Sequence, residues 1–258
     1  MTNAAKTHAT NDARSKPSLA ARVRLAAERV PGHGATAPSL RHFLREATYP
    51  LSPITRRIRH RVSVTPAKNP QVVLLLPGFI ASPITMRYLA AQLEAAGHCT
   101  KQWKQGLNTG PTPERVDDLE TRMLQVAERY ETKPVLLGWS LGGMFARELA
   151  HRQPQAISKV ITMGSPFSGD PRANNAWRLY QLVTGHKVDA PPVPNRLGEK
   201  PLVETVAMWS ARDGIISAEC ACGTVSERDR AIEVDCTHMG FSYAKPAVKA
   251  VLAELERV

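Results

Sequence analysis

The sequence predicts an α/β domain: a mostly parallel sheet of about six core strands with helices on both faces. Three observations carry this expectation. From about residue 70 onward, short apolar runs alternate with stretches of helical periodicity. The first run, Val72 to Leu76, is apolar throughout, as a strand buried on both faces of a parallel sheet must be. The third is Val135–Trp139, which passes through Gly138-Trp139-Ser140-Leu141-Gly142 directly into a helix-forming stretch. That is a strand–turn–helix with a serine at its tip.

Each element follows in order. Residues 1–66 hold twelve Lys/Arg against three Asp/Glu, while the remainder holds twenty-two against twenty, so most of the net charge of +11 lies in an N-terminal arm. Residues 1–16 are polar and expected to be disordered. Pro17 to Val30 reads as a short basic helix with a narrow apolar stripe of Leu19, Val23, Ala26, Ala27 and Val30, ended by Pro31-Gly32-His33-Gly34. Ser39 caps a second helix whose Leu40, Phe43, Leu44 and Ala47 form one face, stopped by Pro50 and Pro53. The Arg-rich Thr55–Arg61 then leads to an edge strand at Val62–Thr65.

The core strand at Val72–Leu76 is followed by a helix over Ile84–Ala96, closed by Gly97, and by a strand over His98–Trp103. Thr112 and Pro113 open the next helix at N-cap and N1, with Val116, Leu119, Met123, Val126 and Tyr130 on one stripe. Strands follow at Pro134–Trp139, Ser158–Met163, Val203–Ser210 and Ala231–Asp235. Helices are expected at Leu141–Arg152 and Pro246–Arg257. Gly164 to Lys200 breaks the alternation, and right-handed crossovers join the rest.

Composition bounds the setting. With 43% hydrophobic residues the chain can bury a sizeable core, yet no run approaches the roughly 18 apolar residues of a membrane span. No apolar h-region with a small-residue cleavage site is visible, so the expectation is a cytoplasmic protein. Its basic arm leaves peripheral contact with anionic membrane open. Cys99, Cys220, Cys222 and Cys236 are too few for a disulfide framework. The last three and His238 have C-x-C and C-x-H spacings that do not suit zinc. Pairing of Cys236 with Cys220 or Cys222 stays open beside reduced, buried thiols.

The chemistry begins at Ser140. A serine hydroxyl is a poor nucleophile unless a base removes its proton as it attacks. Of eight histidines, only His238 lies downstream of every core strand, in the loop between the last strand and the closing helix. A carboxylate must then fix its tautomer and stabilise the imidazolium. Asp213 follows the fifth core strand in Trp209-Ser210-Ala211-Arg212-Asp213-Gly214, where Gly214 is expected to allow a tight turn. Asp189 and Asp235 are rivals: the first sits in a Pro-rich loop, the second close to His238 in sequence. Charge developing on an acyl oxygen needs preset backbone donors, each worth about 3–4 kcal/mol. The N–H of Leu141, after the nucleophile, and that of Phe79, in Pro77-Gly78-Phe79, are the candidates.

Residues 70–258 resemble the α/β-hydrolase superfamily, and more narrowly its compact bacterial lipases and esterases. The resemblance is carried by Leu76-Pro77-Gly78-Phe79, Gly138-Trp139-Ser140-Leu141-Gly142-Gly143, Gly164-Ser165-Pro166-Phe167, Arg212-Asp213-Gly214-Ile215 and Thr237-His238-Met239-Gly240. It implies an α/β-hydrolase fold, with Ser140 as nucleophile, Asp213 as acid, His238 as base, and Phe79 and Leu141 as oxyanion donors. Pro77-Gly78 stands where many such lipases have His-Gly, so that histidine's packing role is absent. No calcium-site acidic cluster is evident; no metal and no cofactor are expected.

The expected organisation is an arm over 1–66 and a catalytic domain over 67–258, with a cap insertion at about 165–200. The cap's Trp177, Leu179, Tyr180, Leu182 and Val183 stand near helical spacing, where Trp177, Tyr180 and Leu182 either line an acyl pocket or pack the helix down. Ile80, Trp139, Trp177 and Met239 are the expected pocket residues, favouring an apolar acyl group. The expected activity is hydrolysis of carboxylic esters, lipid-like or simple, through an acyl-enzyme. An acyl thioesterase or acyltransferase using the same residues is the alternative, with Lys101, Lys104 and Arg212 meeting carrier phosphates. A non-catalytic scaffold with a nucleic-acid-binding arm has little support: only Phe43 and Tyr49 interleave its arginines, and no nucleic-acid module is recognisable. No oligomeric state follows from the sequence.

Overall fold

The computed structural model describes residues 17–29, 36–47, 62–194, 196 and 198–257. The expectations placed on residues 1–16, Val30, Pro31–Gly34, Tyr49, Pro50, Pro53 and Thr55–Arg61 lie outside them. Six strands form one parallel sheet: β1 (Val72–Leu76), β2 (Cys99–Gln102), β3 (Val135–Trp139), β4 (Lys159–Met163), β5 (Glu204–Trp209) and β6 (Arg230–Glu233), in the order β2-β1-β3-β4-β5-β6. Register carries Leu76 opposite Gly138, Trp139 opposite Met163, and Trp209 opposite Glu233. The carboxyl ends of the strands therefore share one rim.

Alternation divides the apolar side chains between two faces. Val73, Leu75, Leu137 and Ile161 join a core cluster with α3 (Arg87–Ala95) and α8 (Lys245–Leu255). Leu74, Leu76, Leu136 and Val160 join another with α4 (Pro113–Tyr130) and α5 (Leu141–Arg152). Each fully buried Leu or Val contributes about 1.5–3 kcal/mol of transfer free energy, so these two layers supply most of what orders the sheet. The α4 helix shows how locally it is specified. Thr112 accepts from Arg115 N–H at 3.2 Å, Pro113 occupies the first turn, and Val116, Leu119, Met123 and Val126 are its buried stripe.

Several expectations need correction. Val62–Thr65 forms no strand. Pro66 removes a ladder donor, and the chain runs on to Ala67, whose N–H reaches the Ala96 carbonyl at 2.7 Å while Val62 packs on the core. The helix expected from Ile84 starts as a 3-10 turn, Pro83–Met86, before becoming α3. A short helix, α7 (Ala218–Cys222), is capped by Ser217, which accepts from Cys220 N–H at 3.3 Å. All four cysteines are free. Among the described residues no helix is long and apolar enough to cross a membrane.

Two helices described within residues 1–66 lie over the rim side of the sheet. α1 (Leu19–Ala27) packs on α6 (Trp177–Thr184). Gln181 donates to the Leu25 carbonyl at 2.8 Å and Arg178 to that of Ala26 at 2.6 Å, closing the open carbonyl end of α1. In α2 (Leu40–Glu46) the expected apolar face is turned outward, with Leu40 75% and Leu44 68% exposed, and Glu46 is the buried residue.

The glycines of the elbow are required by close approach. A Cβ at Gly142 would stand 2.0 Å from the Leu76 carbonyl oxygen, and one at Gly138 2.4 Å from the Gly142 carbonyl carbon. Neither contact can be relieved by a rotamer, because backbone meets backbone. Gly142→Ala is expected to destabilise the fold by about 3 kcal/mol, read as a fall in midpoint in urea unfolding. An unchanged midpoint would mean that α5 can lift away from β1.

Candidate active site

Ser140 sits between β3 and α5 with φ 54° and ψ −123°, a backbone conformation that L-residues rarely adopt. Its N–H is held by the Met163 carbonyl at 2.8 Å, and its own carbonyl accepts from Gly143 at 3.0 Å. Strain of this kind costs about 1–3 kcal/mol and persists only where surrounding contacts over-determine it. Here β1, β4 and α5 all press on the turn.

Asp213 and His238 lie on the loops that leave β5 and β6, and both are buried. Asp213 Oδ1 accepts the N–H groups of Ile215 and Ile216, each at 2.8 Å. Its Oδ2 accepts from His238 Nδ1 at 2.7 Å. That bond places the imidazole proton on Nδ1, leaving Nε2 as the basic nitrogen of the neutral ring. Burial alone would lower the His238 pKa, but the Asp213 carboxylate, helped by Glu46, outweighs it and raises the pKa above 6.5. Ser210 ties the two loops together, its hydroxyl donating to the Cys236 carbonyl at 2.6 Å. Beside the elbow, the Trp139 indole N–H donates to the His238 carbonyl at 3.1 Å, with ring centroids 5.7 Å apart.

The rival carboxylates are engaged elsewhere: Asp189 with Arg172 at 2.7 Å and Asp235 with Arg212 at 2.6 Å. The turn before it closes with Asp213 N–H donating to the Ser210 carbonyl at 3.2 Å; Gly214 itself takes no positive φ and is needed for close approach. A Cβ there would lie 2.4 Å from the His42 carbonyl oxygen, because the backbone of α2 rests on this turn. The same helix delivers Glu46. Its Oε1 accepts from His238 N–H at 2.7 Å and Gly214 N–H at 3.0 Å, and its Oε2 from Met239 N–H at 3.0 Å.

The Pro77-Gly78-Phe79 turn abuts the elbow, with a Cβ at Gly78 falling 3.1 Å from that of Ser140. Among the described residues, neither Phe79 N–H nor Leu141 N–H makes a hydrogen bond within the protein. The turn is fixed by Asn108, which is fully buried. Asn108 donates from Nδ2 to the Pro77 carbonyl at 2.8 Å, accepts from Gly110 at Oδ1, and exchanges backbone bonds with Ile80 and Ala81 at 2.7 and 2.9 Å. Ile80 is held at φ 53° as a result. Neither Asn108 nor Glu46 emerges from sequence reasoning. Asn108 shows only as a polar residue in a loop, and Glu46 as the acidic end of a helix in a basic arm.

A cavity of about 150 Å³ opens beside Ser140, lined by Phe79, Leu141, Met144, Trp177, Tyr180 and Ile216 among others. Of the expected pocket residues, Trp177 lines it. Ile80 is outside and 44% exposed, Trp139 is buried in the core, and Met239 packs partly buried against the core. Tyr180 also lines it, 5.5 Å from the Phe79 ring, whereas Leu182 does not. Among the described residues no group of three or more His, Cys, Asp or Glu is placed to hold a metal ion.

Sheet order, elbow and rim define an α/β hydrolase. A family model described as the alpha/beta hydrolase fold matches residues 71–199, half of the chain, and the protein belongs to that family. A stretch of 65 residues, 25% of the chain, is 40% identical to the pimeloyl-[acyl-carrier protein] methyl ester esterase of Vibrio parahaemolyticus. Another, of 51 residues and 20% of the chain, is 45% identical to the biotin biosynthesis bifunctional protein BioHC of Teredinibacter turnerae. These matches span only 25% and 9% of the relatives' own lengths. The monoacylglycerol lipase of Paleococcus ferrophilus superposes with a TM-score of 0.52 over 75% of this chain and 96% of that one, at 15% identity. That is a likeness of fold.

Two substitutions test how the site is held. Asn108→Ala leaves the buried Pro77 carbonyl and Gly110 N–H without their partner and is expected to cost about 1–3 kcal/mol in thermal unfolding. Ser140→Gly is expected to be more stable than Ser140→Ala by about 1 kcal/mol, because glycine tolerates φ 54°. Equal melting temperatures for that pair would remove the case for strain at the elbow.

Proposed function

We propose that the protein is a serine hydrolase of carboxylic esters that works through an acyl-enzyme on Ser140. The observation that carries this is the buried 2.7 Å bond between Asp213 and His238 on the rim that also holds the strained Ser140 turn. Nε2 of His238 takes the hydroxyl proton as Ser140 Oγ attacks the acyl carbon, and Asp213 stabilises the imidazolium that forms. The N–H groups of Phe79 and Leu141 receive the negative charge on the acyl oxygen. His238 then returns the proton to the leaving alcohol. Water, activated by the same nitrogen, attacks the acyl-enzyme; Ser140 leaves with the proton and the carboxylic acid is released.

The cavity suits an apolar acyl group. Its lining by Phe79, Met144, Trp177, Tyr180 and Ile216 offers mostly apolar surface beside Ser140. The thioesterase or acyltransferase alternative keeps the chemistry and changes the acceptor. Two of the three cations proposed for carrier phosphates point against it: Arg212 is paired with Asp235, and Lys101 lies over the Tyr130 ring at 4.6 Å. Turnover of acyl-CoA faster than a matched simple ester would reverse that preference. Peripheral contact of the arm with anionic membrane is a separate proposal, tested by salt-sensitive sedimentation with anionic vesicles.

A fluorophosphonate probe is expected to label Ser140, located by peptide mapping, and Ser140→Ala is expected to lower p-nitrophenyl butyrate turnover by at least about 10³-fold while remaining folded. Labelling elsewhere, or activity surviving in Ser140→Ala, would end this assignment. The pH profile supplies a second check. The base must be neutral, and its pKa is raised above 6.5. The kcat/KM should therefore rise through a single ionisation above pH 6.5 and reach its plateau on the alkaline side. An acid limb centred well below 6.5 would contradict the Asp213–His238 pairing.

A further inference from the structure

A carboxylate is a costly group to bury, and Glu46 is 8% exposed at the end of a helix whose leucines face outward. Among the described residues it makes no ion pair. Its oxygens are satisfied instead by three main-chain donors, Gly214, His238 and Met239. Gly214 directly follows the candidate acid, and His238 is the candidate base. One side chain therefore joins the loop after β5 to the loop after β6 at the positions where their chemistry sits. Its closure over the site is tight, since Gly214 has no space for a Cβ beneath the α2 backbone and Asn175 Nδ2 bridges the Pro38 and Gly214 carbonyls at 3.0 and 2.8 Å.

We propose that Glu46 is a positioning residue for the Asp213–His238 pair, so that the N-terminal arm is a working part of the active site. By fixing the main chain on both sides of the acid–base bond, it sets the direction of the imidazole. By standing behind His238, it adds a second negative charge to that of Asp213. Among the described residues, the charges acting on His238 are those two carboxylates. Cys236 nearby stays a neutral thiol, its pKa pushed up first by burial, and Asp235 is neutralised by Arg212 on the surface. A mere anchor for α2 would affect stability alone. A positioning role affects rate and proton affinity, and it assumes the Ser140 chemistry proposed above.

The test uses the full chain as wild type, Glu46→Gln, Glu46→Asp and Ser140→Ala, with p-nitrophenyl butyrate turnover and fluorophosphonate inactivation followed across pH, and folding checked by circular dichroism. Glu46→Gln keeps the shape but loses the charge and one acceptor. It is expected to lower kcat about 10- to 100-fold, the scale of a small misplacement of a reacting group, with KM changed less than about twofold. The acid limb should move to lower pH, because losing a negative charge makes the imidazolium easier to deprotonate. Glu46→Asp keeps the charge and shortens the reach; its kcat should fall while the acid limb stays close to that of the wild type. It also serves as the informative variant should Glu46→Gln fail to fold. Wild-type kcat and acid limb in Glu46→Gln, or an acid limb in Glu46→Asp shifted as far as that of Glu46→Gln, overturns the proposal. A wild type inert to the probe, or an active Ser140→Ala, overturns the catalytic assignment instead.

Discussion

Asp213 and His238 are buried against each other, and the rim of this protein is organised around holding that pair in place. Asp213 and His238 come from separate loops, and a hydrogen bond of 2.7 Å between them leaves little room for either loop to drift. The solution is main-chain N–H donors. Ile215 and Ile216 hold one oxygen of Asp213, while Gly214, His238 and Met239 hold Glu46. Donors of this kind are fixed by the backbone and cost little entropy to align.

The other half of the rim follows a steric rule. β1, β3 and α5 approach so closely at Gly138 and Gly142 that backbone touches backbone, which forces Ser140 into its strained turn. The same proximity puts Gly78 against Ser140. Asn108 then stiffens the Pro77–Ala81 turn through three hydrogen bonds, while a fourth, from Gly110 N–H, fixes its own side chain. Since folding and a free pair of donors arise from one packing arrangement, mutations there should disturb stability and chemistry together.

The described helices α1 and α2 connect the two halves to α6. α1 is bound to α6, whose Trp177 and Tyr180 line the cavity, and α2 is bound to the loops after β5 and β6. Its outward leucines and inward glutamate invert the usual amphipathic rule. The inversion has a physical cause: three unsatisfied backbone donors at the rim are a stronger demand than the burial of two leucine side chains.

The alternation of apolar runs with helical stripes determined the parallel sheet and its two covering layers, because burial on two faces leaves a continuous apolar imprint. The elbow was legible for the same kind of reason: small residues at fixed spacing record a local close approach. Asp213 and His238 stood out as candidates by their place after core strands, and their mutual bond came only with the fold. Glu46 and Asn108 left no local trace, since their partners are main-chain groups of residues distant in sequence, and a backbone N–H looks alike in every sequence. The exposure of the α2 leucines, the absence of a strand at Val62–Thr65 and the exclusion of Ile80, Trp139 and Met239 from the cavity were likewise settled by tertiary packing. Periodicity states which residues are apolar; the competition among surfaces and unpaired donors in the folded chain decides which of them are covered.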